Sequence, residues 1–388
     1  MQRSELAALL AALVLLAAAA KATTPKPEAP EKVTVNQLEQ ALSAAHGKSD
    51  AEVAQTLSSL ELAERLSTVR LDHLKADLPG GKSQQALAIL ADQSAFLPPP
   101  ESDTVTDPTP DPAATRQMLV QIVNYVNATL RQLPNLIAIR ETTGFEDRPA
   151  EDSLESTGVV SLSYLSLHEV GKSSIAITFR DRREVEDESA SNAFKHEGKI
   201  GGLITSGEFG PILSTVLADA IKGKITWARW ERGPSGRLAV LHFAVPDGQS
   251  NYRVKFCCIP NGLTSTGQPD MQVFDERSSY HGDITFDPAN GSILRIALQA
   301  EMPPKGLVPN AGIVVEYGPV EIGGKTYLCP VKSVSVLQAH TALQQGAISR
   351  TNYQGAAKTF LNEVEFDQYR RFGSETRIVS GDNDQPAK

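Results

Sequence analysis

The sequence lacks the excess of positive charge that nucleic-acid-binding proteins use. It has 37 Lys and Arg against 46 Asp and Glu, which gives a formal net charge of −9 at pH 7. A negative chain is a poor general partner for phosphate backbones. The densest basic stretch, Arg180–Arg183, is interrupted by Asp181 and followed by further acids. We therefore predict that nucleic acid is not a partner.

The spacings that mark common catalytic and metal sites are also missing. The seven histidines form neither H-x-x-x-H nor H-E-x-x-H, and the three cysteines have no zinc-binding spacing. Gly171-Lys172-Ser173 has the end of a phosphate-binding loop, but that motif needs a glycine where this chain has Ser166. We predict a non-enzymatic protein with no metal and no cofactor. An enzyme whose residues converge only in the fold is the least favoured alternative.

The N-terminus has the pattern of a secretory signal peptide over residues 1–22. Arg3 precedes an apolar run from Leu6 to Ala20, which ends in the small residues Ala18, Ala20 and Ala22. The alternative is an uncleaved membrane anchor, but a span needs roughly 20 apolar residues and this run is shorter. No later stretch is long enough to span a bilayer. We therefore predict a mature chain without a transmembrane span that is periplasmic or secreted.

Three cysteines, Cys257, Cys258 and Cys329, are the candidates for a disulfide in such a compartment. Adjacent residues of a strand point to opposite faces, so at most one of Cys257 and Cys258 is expected to meet Cys329. The alternative is three buried thiols.

Residues 34–97 are predicted to form a module of four or five short helices. Thr34 with Gln37, Ser49 with Glu52 and Ser58 with Glu61 each have the spacing of a capping box at a helix start. Leucines recur at helical spacing between them. Residues 98–112 are rich in proline, which removes backbone donors, so we expect an extended linker and a domain boundary there.

Residues 113–372 are predicted to form an α+β domain. Asp111 and Pro112 suit the N-cap and the first position of a helix, and an amphipathic helix (113–131) is predicted there. The hydrophobic period then changes from helical to the alternation of strands. A turn after Gly233 joins two apolar runs, 225–231 and 238–244, into a predicted hairpin. Trp227 and Trp230 are three positions apart, so we expect them on opposite strand faces. A one-sided helix (209–222) interrupts the strands, and the polar residues 373–388 are predicted to be disordered.

Two segments of this region, ITFDPANGSILRIAL (284–298) and VEYGPVEIGGKTY (315–327), read as a strand, a tight turn on glycine and a return strand. With the helix before the first strand and the inserted helix, residues 113–372 resemble the half-barrel of the outer-membrane lipoprotein carrier family. The whole arrangement is more similar to uncharacterised exported proteins of acidobacteria. The carrier resemblance implies a curved antiparallel sheet (an open half-barrel) with one or two helices packed on its concave side. It also implies an apolar concavity that holds acyl chains.

The leading hypothesis from the sequence is a protein that binds a lipid or another hydrophobic small molecule in this concavity. The candidate lining is apolar and comes from one strand and the inserted helix: Ile175, Ile177, Phe179, Phe209, Leu213, Val216 and Leu217. The same residues equally describe an ordinary filled core. The alternative function is a cell-envelope interaction or scaffold protein that docks a partner protein through its helical module.

Overall fold

A computed structural model describes residues 31–149, 151–155, 158–162, 165–180, 183–186, 200–205, 211–234, 236–341, 343–345 and 352–371. The predicted signal peptide (1–22) and the predicted disordered tail (373–388) lie outside these residues. From Glu31 onward the chain forms one compact unit. Within the described part, no helix is both long enough and apolar enough to cross a membrane.

The helical module contains four α-helices, which are α1 (Val35–Ala44), α2 (Asp50–Ser58), α3 (Thr68–Ala76) and α4 (Gly81–Gln93). The capping boxes at Thr34 and Ser49 are confirmed, because each hydroxyl accepts from the third helical residue, whose side chain accepts from the cap in return. The box at Ser58 is wrong. Ser58 ends α2, and the next residues form a strand, β2 (Leu60–Leu62), which pairs in parallel with β1 (Glu31–Val33).

The module has an apolar core of its own, in which side chains from all four helices pack together. The buried residues that the four helices contribute include Val35, Leu38, Val53, Leu57, Leu71, Leu87 and Leu90. Helices of this length are marginal in isolation, so this shared core is what stabilises them.

Two more helices belong to the second region, α5 (Pro112–Gln132) and α6 (Pro211–Lys222). Asp111 caps α5 by accepting from the backbone N–H of Ala114 at 2.7 Å, and Pro112 takes the first helical position. Proline fits there because the backbone N–H it lacks has no partner inside the helix. The sequence therefore predicted the start of α5 correctly.

The remaining strands are β3 (Thr104–Val105), β4 (Leu136–Arg148), β5 (Glu151–Glu155), β6 (Gly158–Leu162), β7 (Leu165–Arg180), β8 (Arg183–Glu186), β9 (Lys224–Gly233), β10 (Gly236–Val245), β11 (Arg253–Leu263), β12 (Pro269–Arg277), β13 (Tyr280–Phe286), β14 (Ile293–Ala300), β15 (Asn310–Ile322), β16 (Lys325–His340), β17 (Leu343–Gln345), β18 (Asn352–Gln354) and β19 (Ala357–Arg371). Eleven of them form one antiparallel sheet in the order β3-β9-β10-β13-β14-β15-β16-β19-β4-β7-β8. The sheet is curved and not closed, which confirms the predicted α+β fold class.

The two faces of the sheet carry different layers. One face packs against α5, α6 and the β11–β12 hairpin in a large apolar core, to which strand β10 contributes Leu241 and Phe243. Alternate residues of a strand point to the other face. There the helical module packs, with Ile89 of α4 against Val334 and Leu361.

The Pro-rich segment 98–112 is part of the fold rather than a spacer outside it. Pro99 and Pro100 are buried, and β3 pairs with β9 at the edge of the large sheet. The indole N–H of Trp230 donates to the carbonyl oxygen of Pro108 at 3.0 Å. Proline is compatible with an edge position because an edge strand leaves half of its backbone groups unpaired.

The two tryptophans of β9 lie on the same face, so the expectation of opposite faces is wrong. Trp230 is opposite Ala239 and Trp227 is opposite Leu241, whereas Ala228 has no register partner. This bulge adds one residue to β9 and shifts the alternation by one position. The two rings pack edge to face with centroids 4.6 Å apart.

Candidate functional site

The predicted apolar lining is divided between different parts of the molecule. Ile175, Ile177 and Phe179 of β7 are buried in one cluster with Leu136, Val364 and Cys329. Val216 and Leu217 of α6 are buried in the large core on the α5/α6 side of the sheet. Val216 also lines a small cavity of about 180 Å³ beside β11. Phe209 and the side chain of Leu213 lie outside what the structure describes.

The cysteines pair in a way that the sequence analysis did not consider. Cys257 and Cys258, adjacent on β11, form a disulfide with each other. Cys329 is a free, fully buried thiol on β16. Burial raises the pKa of Cys329 to about 12, so this thiol is unreactive at neutral pH.

A cavity of about 530 Å³ lies between the helical module and the sheet, on the face opposite to the large apolar core. We call it the module–sheet cavity. The loop before α3, the start of α3 and the end of α4 line one side, and strands β9, β10 and β13–β16 line the other. The apolar part of its lining comprises Leu66, Val69, Leu71, Ala91, Ala95, Pro234, Leu238, Leu294, Val314, Tyr317, Pro319 and Val334.

Four polar side chains cross the floor of this cavity from strand to strand. Thr285 is the register partner of Arg295, Arg295 of Glu316, and Glu316 of Lys332. Adjacent strands lie about 4.8 Å apart, so this polar row extends over about 14 Å. All four residues line the cavity, and further polar side chains line it beside them, among them Arg232, Arg237 and Asp287.

Arg295 and Glu316 form no ion pair with each other, although they are register partners. The Arg295 guanidinium donates to the carbonyl oxygen of Ala95, just after α4. Glu316 accepts from the hydroxyl of Thr68 at 2.8 Å. Both floor residues therefore bond to the helical module that covers them.

Buried ion pairs hold the module to the sheet at two places, one beside the floor at Glu231 and one at Lys332, the last residue of the polar row. Arg65 Nη2 lies 2.6 Å from Glu231 Oε2, and Arg229 also bonds to Glu231, at 2.7 Å. Lys332 Nζ lies 2.8 Å from Asp92 of α4 and 2.6 Å from Glu363 of β19. Burial opposes the charge of Lys332, but these two carboxylates raise its pKa above the usual value.

Two residues that line the cavity each carry a buried polar atom that has no hydrogen-bond partner among the described residues. These atoms are Oδ2 of Asp92 and Oγ1 of Thr285, on side chains that are 4% and 3% exposed. Leaving a buried polar atom unpaired costs about 1–3 kcal/mol, so such atoms are rare and call for an explanation. A ligand in the cavity that bonds to both atoms would remove this cost.

Sequence patterns did not identify these residues as a site, although the sequence contains a signal for two of them. Arg295 interrupts the apolar strand ILRIAL, and Lys332 interrupts VKSVSV. A long cationic side chain inside an apolar strand indicates that one face of the strand contacts polar groups rather than a hydrophobic core. Which polar groups those are depends on the docking of the module, which has no local signature. Over the described ranges, no group of three or more His, Cys, Asp or Glu is placed to hold a metal.

Comparisons with known proteins add little to this description of the site. No protein-family model matches the chain, and no curated protein matches it. Among solved structures, the chain is similar to OmpT (in-vitro folded), an outer membrane protein of Vibrio cholerae, at 10% identity. That likeness covers 60% of this chain and 100% of the other with a TM-score of 0.10, so it carries no argument. The resemblance to the lipoprotein carrier family therefore has no support from the comparisons and stays a prediction.

Proposed function

We propose that this protein is a non-enzymatic binding protein that holds a small, partly apolar molecule in the module–sheet cavity. The observation that carries the proposal is the cavity itself, at about 530 Å³ with a mainly apolar wall. Sites for small organic ligands have volumes of about 300–1,000 Å³ and combine apolar walls with a few polar groups. The predicted partner, a lipid or another hydrophobic small molecule, is kept in this proposal, as is the predicted periplasmic or secreted location.

The proposal places the ligand on the opposite side of the sheet from the predicted concavity. On the α5/α6 side, the described residues fill the space with large side chains, including the fully buried Phe243, Phe256 and Phe286. Close-packed interiors leave few voids larger than a water molecule. On the module side, charged side chains of both signs lie between the helical module and the sheet. Because these two layers do not pack as closely as the apolar core, a cavity remains between them.

Apolar contact is the source of affinity in this proposal. Each buried methylene group of a ligand gains about 0.8 kcal/mol, so an acyl or cyclic body of several carbons binds measurably. Leu71 and Val314 are buried, and Leu238 and Leu294 are half-buried in the wall. Half-buried leucines gain further burial when a ligand covers them.

The envelope-scaffold alternative has less support. That hypothesis requires an exposed apolar surface on the helical module to which a partner protein could bind. In the structure, the module packs on the sheet instead. Within residues 34–97, Val69 is the large apolar side chain that is strongly exposed, at 53%. Val69 lines the cavity, which fits a ligand entrance better than a docking surface.

The first test is mass spectrometry of an organic extract from protein purified without detergent. The matched variants are Val69→Trp, which obstructs the cavity, and Val120→Trp, an equally exposed valine on α5 away from it. We expect a stoichiometric small molecule in the wild type and in Val120→Trp, and its loss in Val69→Trp. An empty wild type that takes up nothing from a total lipid and metabolite extract would overturn the proposal.

A further inference from the structure

The polar floor of the module–sheet cavity indicates what kind of head group the ligand has. Arg295 is the cation nearest the middle of the polar row, and its hydrogen bond to the carbonyl oxygen of Ala95 uses only one of five guanidinium N–H donors. Its neighbour in the sheet, Thr285, has a hydroxyl without a partner among the described residues. A guanidinium beside a free hydroxyl is a site for a carboxylate oxygen pair.

The charge of Arg295 is not neutralised by a direct carboxylate contact within the described residues. Glu316, its register partner, bonds to Thr68, and Glu231 bonds to Arg65 and Arg229. Burial and the charge of Arg65 lower the pKa of Arg295 to about 9, so it is still a cation at neutral pH. A desolvated cation with spare donors favours an anion, because the anion restores the interactions that water would have supplied.

Asp92 places a second requirement on the chemistry of the ligand. Its Oδ1 bonds to Lys332 at 2.8 Å, whereas Oδ2 has no partner in the described part of the chain. Above the pKa of Asp92, which burial raises to about 7, both carboxylate oxygens only accept hydrogen bonds, so the missing partner of Oδ2 is a donor. A ligand hydroxyl or amine meets that requirement, and a bare hydrocarbon does not.

We propose that the ligand is a small organic carboxylate that also carries a hydrogen-bond donor. Its carboxylate binds Arg295 and Thr285, its donor binds Oδ2 of Asp92, and its apolar body lies against Leu71, Leu238 and Val314. This inference rests on the proposed binding function and adds the head-group chemistry to it.

The test is calorimetric titration of the wild type with three probes of equal chain length: octan-1-ol, octanoate and 3-hydroxyoctanoate. We expect octanoate to bind about tenfold more tightly than octanol, because a hydrogen bond to a charged group is stronger than a neutral one. We expect the added hydroxyl to tighten binding by a further factor of about five.

Three variants assign these increments to residues. Arg295→Gln is expected to bring octanoate to the affinity of octanol, and Asp92→Asn is expected to remove only the hydroxyl increment. Arg277→Gln is the matched control, because Arg277 is exposed on β12 and does not line the cavity. Arg295→Lys keeps the positive charge and is expected to keep part of the preference for octanoate, provided that circular dichroism shows the fold intact.

The outcomes separate the two proposals. Equal affinity for octanol and octanoate in the wild type would overturn the head-group inference and leave the binding function standing. A co-purified ligand without a carboxylate would do the same. A wild type that binds none of the probes and co-purifies with nothing would overturn the binding function, and the head-group inference with it.

Discussion

Arg65 Nη2 and Glu231 Oε2 lie 2.6 Å apart and join residues that are 166 positions apart in the sequence. Arg65 belongs to the loop between β2 and α3, and Glu231 belongs to β9. Both side chains are almost fully buried. Burial opposes the charge of Glu231, but Arg65 and Arg229 overcome that effect and hold its pKa below the usual value. The pair fixes the helical module to the sheet at the edge of the cavity.

Replacing Glu231 with Gln is expected to lower the free energy of unfolding by about 3–5 kcal/mol, because it leaves Arg65 buried without its counter-charge. Denaturant titration followed by circular dichroism measures this change. Lys32→Met is the comparison, since it breaks an exposed pair with Glu61 and is expected to cost less than about 1 kcal/mol. Similar small effects for both variants would contradict a buried structural pair.

Asp92 makes the stability of the protein depend on pH. Burial is the main cause that raises the pKa of Asp92, to about 7, and it outweighs the opposing attraction of Lys332. A folded-state pKa above the unfolded value means that the stability from the bound proton is lost as pH rises through it. We therefore expect the free energy of unfolding of the wild type, relative to Asp92→Asn, to fall between about pH 4 and pH 8.

The measurement is urea denaturation of the wild type and Asp92→Asn across that pH range. Asp72→Asn serves as the control because Asp72 is exposed on α3 and away from the cavity. Its curve is expected to run parallel to that of the wild type. A parallel curve for Asp92→Asn as well would show that the Asp92 carboxyl titrates normally.

Among the described glycines, Gly282 on β13 is the one at which an added methyl group would make the closest contact. A Cβ there would lie 1.9 Å from the carbonyl oxygen of Ala297 and 2.8 Å from the Phe243 ring. Neither neighbour can move without disturbing the sheet, so Gly282→Ala should cost about 3 kcal/mol or more. Gly248→Ala, where nothing lies within 4 Å, should change the free energy of unfolding by less than about 0.5 kcal/mol. Thermal unfolding of the wild type and both variants measures these two changes in the free energy of unfolding.

The cysteine pairing predicts how many thiols react with iodoacetamide. In the native protein none should react, because Cys257 and Cys258 are bonded to each other and Cys329 is fully buried. Unfolding without a reductant should expose one thiol, and unfolding with a dithiol reductant should expose three. Mass spectrometry of the alkylated chain counts them. Three reactive thiols without a reductant would contradict the disulfide.

Much of the local structure was predictable because its causes are local. The capping residues Thr34, Ser49 and Asp111 form hydrogen bonds within three residues, so short motifs identify them. The β9–β10 hairpin needs only two apolar runs and a glycine turn. The bulge at Ala228 was not predictable, because it depends on how β9 pairs with β10 and not on the composition of β9.

The candidate site could not be predicted from the sequence, because the contacts that form it are long-range. Arg295 and Lys332 could be noticed as cations in apolar strands, but Asp92 looked like any polar residue on a short helix. These residues meet only after the module docks on the sheet. The sequence separations involved exceed two hundred residues, and no local pattern encodes such a contact.

The sequence by itself determined the α+β fold class and the capped helix starts at Thr34, Ser49 and Asp111. These follow from hydrophobic period and capping chemistry, which act over a few residues. The tertiary structure decided which face of the sheet is filled and which keeps a cavity. It also inserted the last strand, β19, between β16 and β4. Strand order and layer docking are long-range choices that minimise the total free energy, and the same local patterns are compatible with several of them.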